Sequence, residues 1–164
     1  MIIRLALEID SKDIYKLSRI VHFDKENFQS NGFLMANITE KQYKKFILNK
    51  AKIFVAEDNG EIVGYVHILN KEEYLKTNTH NLNKEIDYIY IKQIVALPGT
   101  GLNIGHNLYK YIKENFKINI YASVFSIPLN KRSLIFHDRE DFIDTGAEEE
   151  ISGNRVLKIL RFEP

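Results

Sequence analysis

Ile94-Val-Ala-Leu-Pro-Gly-Thr-Gly-Leu-Asn-Ile-Gly-His-Asn-Leu-Tyr109 decides the fold. Its first residues read as a buried strand, its middle as a tight glycine-rich turn, and its end as the opening of an amphipathic helix. A helix start carries N–H groups without intrahelical partners and the positive end of a dipole, so it attracts phosphate. Glycine in the approach lets that phosphate come close to the main chain. The stretch therefore predicts a binding place for a phosphorylated cofactor.

Working outward, the strand extends back to about Ile86, and its apolar content on both faces predicts a central position. Beyond the turn, Ile104, Leu108, Tyr111, Ile112 and Phe116 make a helical stripe. Ile118 to Phe125 is the next strand, so residues 86–125 form a strand–helix–strand crossover with parallel pairing. Upstream, Lys52–Glu57 and Glu61–Leu69 flank the turn Asp58-Asn-Gly60 as a hairpin. Thr39 and Gln42 have capping-box spacing for a helix presenting Tyr43, Phe46 and Ile47. Asp10 or Ser11 caps an earlier helix with Ile14, Leu17 and Val21 on one face. Ile3, Leu5, Leu7 and Ile9 alternate as a first strand. His22 to Ile38 is irregular, with a turn at Ser30-Asn-Gly32, and the polar run Asn70 to Asn83 reads as a long loop. Downstream come a short helix from Asn130 to about His137 and a closing hairpin of Phe142–Thr145 and Arg155–Phe162 around Ser152-Gly-Asn154. The order β-α-α-β-β-β-α-β-α-β-β predicts a mixed sheet with helices on both faces.

The 164 residues fit one domain, 1–164, with one core. With 23 basic and 22 acidic side chains, the charge gives no case for nucleic acid or an anionic membrane. The chain has no cysteine, which excludes thiol catalysis, disulfides and thiolate metal sites and suits the cytoplasm. No apolar run approaches the ~20 residues needed to span a bilayer. The first ten residues alternate and then turn acidic, unlike a signal peptide. His22, His67 and His80 show no metal-ligand spacing, so no metal is expected. Lys41, Lys44, Lys45 and Lys50 read as a solvated helix face.

The element order resembles the GNAT superfamily of N-acetyltransferases across nearly the whole chain. Thr100-Gly-Leu-Asn-Ile-Gly105 is similar to that family's cofactor motif, Arg/Gln-x-x-Gly-x-Gly/Ala at a helix start. Asn130-Lys-Arg-Ser-Leu-Ile-Phe-His137, followed by Asp141-Phe142 and Thr145-Gly146, is similar to its C-terminal pattern. Phe-His in place of Leu-Tyr resembles a bacterial branch whose acceptors are unassigned. The departures are Thr100 for the Arg/Gln, or its loss through a one-residue shortening after Pro98, Asn103 for the middle glycine, and Asp141 for a glycine before phenylalanine. Asparagine is the least costly non-glycine residue for a left-handed backbone, so the loop can keep its path.

The resemblance implies an α+β fold: a mostly antiparallel central sheet of about seven strands with about four helices on both faces. It implies transfer of an acetyl group from acetyl-CoA to a primary amine of a small molecule or protein. The N–H groups of Gly101, Leu102, Asn103, Ile104, Gly105 and His106 would hold the diphosphate. Main-chain groups of Ile94, Val95 and Ala96 would pair with the pantetheine arm, and Asn130, Ser133 and Phe136 would also bind the cofactor. His137 stands where the family often keeps a tyrosine that protonates the leaving thiolate, a task an imidazole can do if a neighbour keeps it charged. No general base is assigned. Glu85 and Asp87 precede the central strand, and Tyr88, Tyr90 and Lys92 share one face of it. A homodimer through the C-terminal hairpin fits the resemblance. Plainer roles stand beside these: a bare turn for Gly101 and Gly105, a helix cap for Asn130, packing for His137, solvent for His106. A CoA-binding module without turnover is the alternative on the same fold. A doubly wound nucleotide binder is disfavoured, because the glycine run follows a late strand.

Overall fold

The computed structural model describes residues 1–23, 32–77, 82 and 86–164. Its strands are β1 (Ile2–Leu5), β2 (Lys52–Asp58), β3 (Glu61–Asn70), β4 (Tyr88–Ala96), β5 (Asn119–Ile127), β6 (Ile143–Ile151) and β7 (Arg155–Phe162). They make one sheet in the order β1-β2-β3-β4-β5-β7-β6. Among the strands of the described residues, only β4 and β5 pair in parallel. The helices among the described residues are α1 (Ser11–Ile20), α2 (Glu40–Leu48), α3 (Lys71–Thr77), α4 (Ile104–Phe116) and α5 (Lys131–Arg139). This is the mixed, mostly antiparallel α+β sheet that the resemblance implies.

Ile104, Leu108 and Ile112 of α4 pack on Val66, Ile68, Ile89, Ile91, Ile120 and Ala122 of the sheet. Ile14 and Leu17 of α1 and Tyr43 of α2 pack with Ile53, Val55, Tyr65 and Val95 in a second cluster. Each such aliphatic side chain contributes ~1.5–3 kcal/mol when fully buried. Local chemistry sets the boundaries. Asn59 and Gly60 take φ 50° and 82°, the left-handed pair that closes a tight hairpin. Thr39 and Gln42 cap α2 reciprocally, with Thr39 N–H donating to Gln42 Oε1 at 2.8 Å and Gln42 N–H to Thr39 Oγ1 at 3.3 Å.

Three elements depart from the reading above. The first strand stops at Leu5, and Leu7 and Ile9 are 58% and 81% exposed. The buried Asp10 carboxylate accepts Leu7 N–H at 2.7 Å and two Arg4 donors at 2.7 and 3.0 Å, which draws Glu8–Asp10 into a 3-10 turn. Residues 71–77 are helical rather than loop. Asn70 and Glu73 cap each other at 2.8 Å in both directions, and Tyr74 is buried beside Tyr88 and Tyr90. The last hairpin's first strand, β6, continues to Ile151, past an irregularity in its pairing between Asp144 and Glu148. Ser30 and Asn31 of the expected turn, His80 and Glu85 lie outside the described residues.

Candidate active site

The site begins with one extra residue in β4. β4 pairs β3 with His67 opposite Gln93 and Ile68 opposite Ile91, so Lys92 is a bulge. A bulge reverses the alternation of side chains, which is why Ile89 and Ile91 before it and Ile94 and Ala96 after it all pack with the α4 cluster. It also bends the strand. The pairing of β4 with β5 runs from Tyr88 opposite Asn119 to Ile91 opposite Ala122 and ends there, immediately before the bulge.

Past that point one edge of β4 is open. Leu97 N–H donates to Val63 C=O at 2.8 Å, and alternation along an antiparallel pair then turns Val95's main-chain groups toward Tyr65 of β3. The N–H and C=O of Ile94 and Ala96 face the gap. Of the three expected positions, Val95 is therefore the one engaged by the sheet itself.

The glycine-rich turn delivers the chain to α4 through three left-handed residues, Gly99 (φ 79°), Gly101 (φ 70°) and Asn103 (φ 50°). Asn103 thus takes the conformation expected of it, and is the residue before the helix. The first helical bond is Asn107 N–H to Asn103 C=O at 3.0 Å, so the N–H groups of Ile104, Gly105 and His106 have no carbonyl one turn back. Among the described residues they have no protein acceptor. Leu102 differs: its N–H meets Thr100 Oγ1 at 3.4 Å, and its carbonyl accepts from Asn107 Nδ2 at 3.1 Å. The gap and the helix head open on one cleft of about 990 Å³, whose far wall is β5 and α5.

Two glycines shape this corner by bareness rather than by φ. A Cβ on Gly105 would lie 2.9 Å from Phe136 Cζ, so Gly105 lets α4 lie against α5. Phe136 also stacks on Tyr109, with centroids 5.4 Å apart. Gly64 in β3 belongs to the same corner without any motif to mark it. A Cβ there would lie 2.8 Å from Val95 O and closer still to Ile104 Cγ2, so Gly64 seats the first residue of α4 on the sheet. Its signal was a lone glycine inside a strand pattern.

On α5, Asn130 is committed to the protein. Its Oδ1 accepts Ser133 N–H at 3.4 Å, and its Nδ2 donates to Phe33 C=O at 3.0 Å, tying the cap of α5 to the segment 32–36 that also lines the cleft. Ser133 lines the cleft as well, and its carbonyl lies 2.7 Å from His137 Nδ1. His137 is 3% exposed, and its Nε2 lies 2.8 Å from the buried Tyr109 hydroxyl. With Nδ1–H donating to Ser133, Nε2 accepts from Tyr109, and both ring nitrogens are engaged. Burial pushes the imidazole down to about 4, against a smaller opposing effect of the Ser133 carbonyl. The condition for His137 to act as an acid, a neighbour that keeps it charged, is thus not met: burial favours the neutral ring.

His67, also buried, is pushed down to about 3, first by burial and then by the Lys92 charge. A histidine in the unfolded chain titrates near ~6.5, so from there downward the unfolded state takes protons that these two rings refuse. Stability is full above that pH, falls by up to ~1.4 kcal/mol per pH unit per histidine, and is lost as pH passes the folded values. The melting temperature is therefore expected to drop steeply between pH 6.5 and 4.5. A flat profile in thermal melts over that range contradicts the assignment of two neutral buried rings.

Toward the other end of the cleft, Tyr90 donates to Ser123 Oγ at 2.8 Å where the strands part. Gln93 Oε1 lies 3.0 and 3.2 Å from the hydroxyls of Tyr43 and Tyr65 in a buried cluster. Lys92 Nζ sits 4.9 Å from the Phe46 ring centre, and partial burial lowers its pKa. Among the described residues no group of three or more His, Asp or Glu could hold a metal, and no helix is long and apolar enough to cross a membrane.

No protein-family profile matches the sequence, and no curated protein matches it. Solved structures do. The ribosomal-protein-alanine N-acetyltransferase of Brucella melitensis superposes with a TM-score of 0.67 at 16% identity, covering 100% of both chains. The aminoglycoside 6'-N-acetyltransferase of Enterococcus faecium gives 0.66 at 11% identity, over 99% of this chain and 96% of that one. A Salmonella typhimurium protein, assigned as an acetyltransferase and solved with its cofactor acetyl-CoA, gives 0.63 at 16%, over 99% and 93%. The chain shares the fold of these acetyltransferases.

Proposed function

We propose that this chain is an N-acetyltransferase that binds acetyl-CoA in the cleft and acetylates a primary amine of a small molecule or a protein. One observation carries the reading: the free amides at the head of α4 open on the same cleft as the unpaired edge of β4. These residues fit the group. The N–H groups of Ile104, Gly105 and His106 suit a diphosphate, and the open edge at Ile94 and Ala96 suits the amide-bearing pantetheine arm, taken on like a strand. Bound acetyl-CoA supplies a thioester. An edge N–H of β4 polarises its carbonyl, and removing such a donor typically costs ~100-fold or more in rate. A neutral amine then forms the C–N bond as the C–S bond breaks; the amine gives up one proton and the thiolate takes one. His137 does not fit the acid's role, because its Nε2 already accepts from Tyr109. That same observation favours the second reading, a CoA-binding module with little turnover.

In this reading the chain works as a single cytoplasmic domain without metal, nucleic acid or membrane, and the β6–β7 hairpin is the face for a homodimer. Thermal-shift titration with acetyl-CoA, CoA and NAD tests the ligand. A ligand that binds only the folded state adds ~2.7 kcal/mol at a hundred times its Kd. Saturable stabilisation by acetyl-CoA and CoA but not NAD is expected, and the reverse overturns the reading. Free-thiol release against a panel of amines then separates enzyme from binder.

A further inference from the structure

The glycine-rich approach carries no charge: residues 97–105 are Leu-Pro-Gly-Thr-Gly-Leu-Asn-Ile-Gly. The first side chain after it able to bear a positive charge is His106, in the first turn of α4 and on the wall of the cleft. Its side chain is 60% exposed, yet the ring is held: Nδ1 lies 2.9 Å from Glu140 Oε1. Glu140, the residue after α5, is 5% exposed. A carboxylate that deep needs partners. Lys113 of α4 provides one, with Nζ 2.7 Å from the Glu140 carbonyl and 3.3 Å from Oε2. His106 takes the other oxygen. Because Glu140 fixes Nδ1, the ring presents Nε2, and it does so from the residue whose own N–H is one of the three free amides.

We propose that His106 is a side-chain ligand for the cofactor's diphosphate and that Glu140 is a positioning residue acting through it. This rests on the CoA reading given above. Glu140 sets the ring's orientation through Nδ1, so with a diphosphate on its other side the ring donates from both nitrogens, Nδ1–H to Glu140 and Nε2–H to the diphosphate beside the backbone amides. Lys113 holds Glu140 from the other side, through its carbonyl and Oε2.

Binding of CoA, dephospho-CoA and pantetheine by calorimetry separates the possibilities. Dephospho-CoA keeps the diphosphate and lacks the ribose phosphate; pantetheine lacks every phosphate. His106→Ala keeps the main-chain N–H and is expected to weaken CoA and dephospho-CoA equally, by about tenfold, and to leave pantetheine unchanged. His106→Arg recovers most of the loss. Glu140→Gln shifts the same two ligands in the same direction and spares pantetheine, which a merely structural Glu140 would not do. If Glu140→Gln does not fold, the His106 variants decide alone. Unchanged CoA affinity in His106→Ala, or a loss shared by pantetheine, overturns the proposal while CoA binding by the native protein stands. A loss confined to CoA moves His106 to the ribose phosphate and overturns it too. A native protein that binds none of the three sinks the CoA reading and this one together.

Discussion

Gly64→Val is expected to lower the melting temperature by ~5–10 °C and to remove measurable CoA binding. A Cβ at this position meets Val95 O at 2.8 Å, Ile104 Cγ2 more closely, and Leu108 Cδ1 at 3.4 Å. The carbonyl cannot give way, because it belongs to the β3–β4 ladder. The strain therefore falls on α4, whose first residue is Ile104. Overpacking of this kind costs ~1–3 kcal/mol, and in a domain of this size each kcal/mol is worth ~2–4 °C. Lifting the head of the helix also displaces its free amides from the cleft. Gly64→Ala produces a smaller version of both effects. A melt and a CoA titration at native values would show that α4 does not rest on this glycine.

Asn103→Ile should separate binding from folding. Asn103 sits at φ 50° and ψ 36°, exposed to solvent, and supports no part of the core. A β-branched residue pays ~1–2 kcal/mol or more there and draws the chain into an extended path. The amides of Ile104, Gly105 and His106 then lose their common direction. Hydrogen bonds to a charged group contribute ~1.5–3 kcal/mol each, so losing two weakens CoA by ~100-fold or more. The melting temperature is expected to fall by only a few degrees. Asn103→Gly retains the turn and is expected to bind at least as well as the native chain. Native affinity in the isoleucine variant would mean that the helix head does not hold the diphosphate.

The elements marked by local rules could be read from the sequence. Thr39 and Gln42 cap α2, Asn59 and Gly60 turn the hairpin, and the stripe from Ile104 to Phe116 makes α4, because each depends on neighbours within a few residues. α3 was missed because its signal is the Asn70–Glu73 cap alone; its apolar anchor is the single residue Tyr74, buried against rings from β4. The alternation runs past the end of β1 because it cannot register that Asp10 gathers Arg4 and Leu7. In the site, the left-handed Asn103 was legible, since asparagine tolerates that conformation wherever it lies. The bulge at Lys92 was not, since it is a property of the pairing with β3. Nor was the partner of His137: Tyr109 lies 28 positions away, and only the packing of α4 on α5 brings its hydroxyl to the ring.

A grip made of main-chain hydrogens is indifferent to the letters written above it, provided a few positions can coil leftward and two others stay without a side chain. One shape is thus compatible with very different sequences: solved structures that share it over nearly their whole length match this chain at 11–17% identity. In the proposed reading, the place for the cofactor is written in torsion angles rather than in spelling.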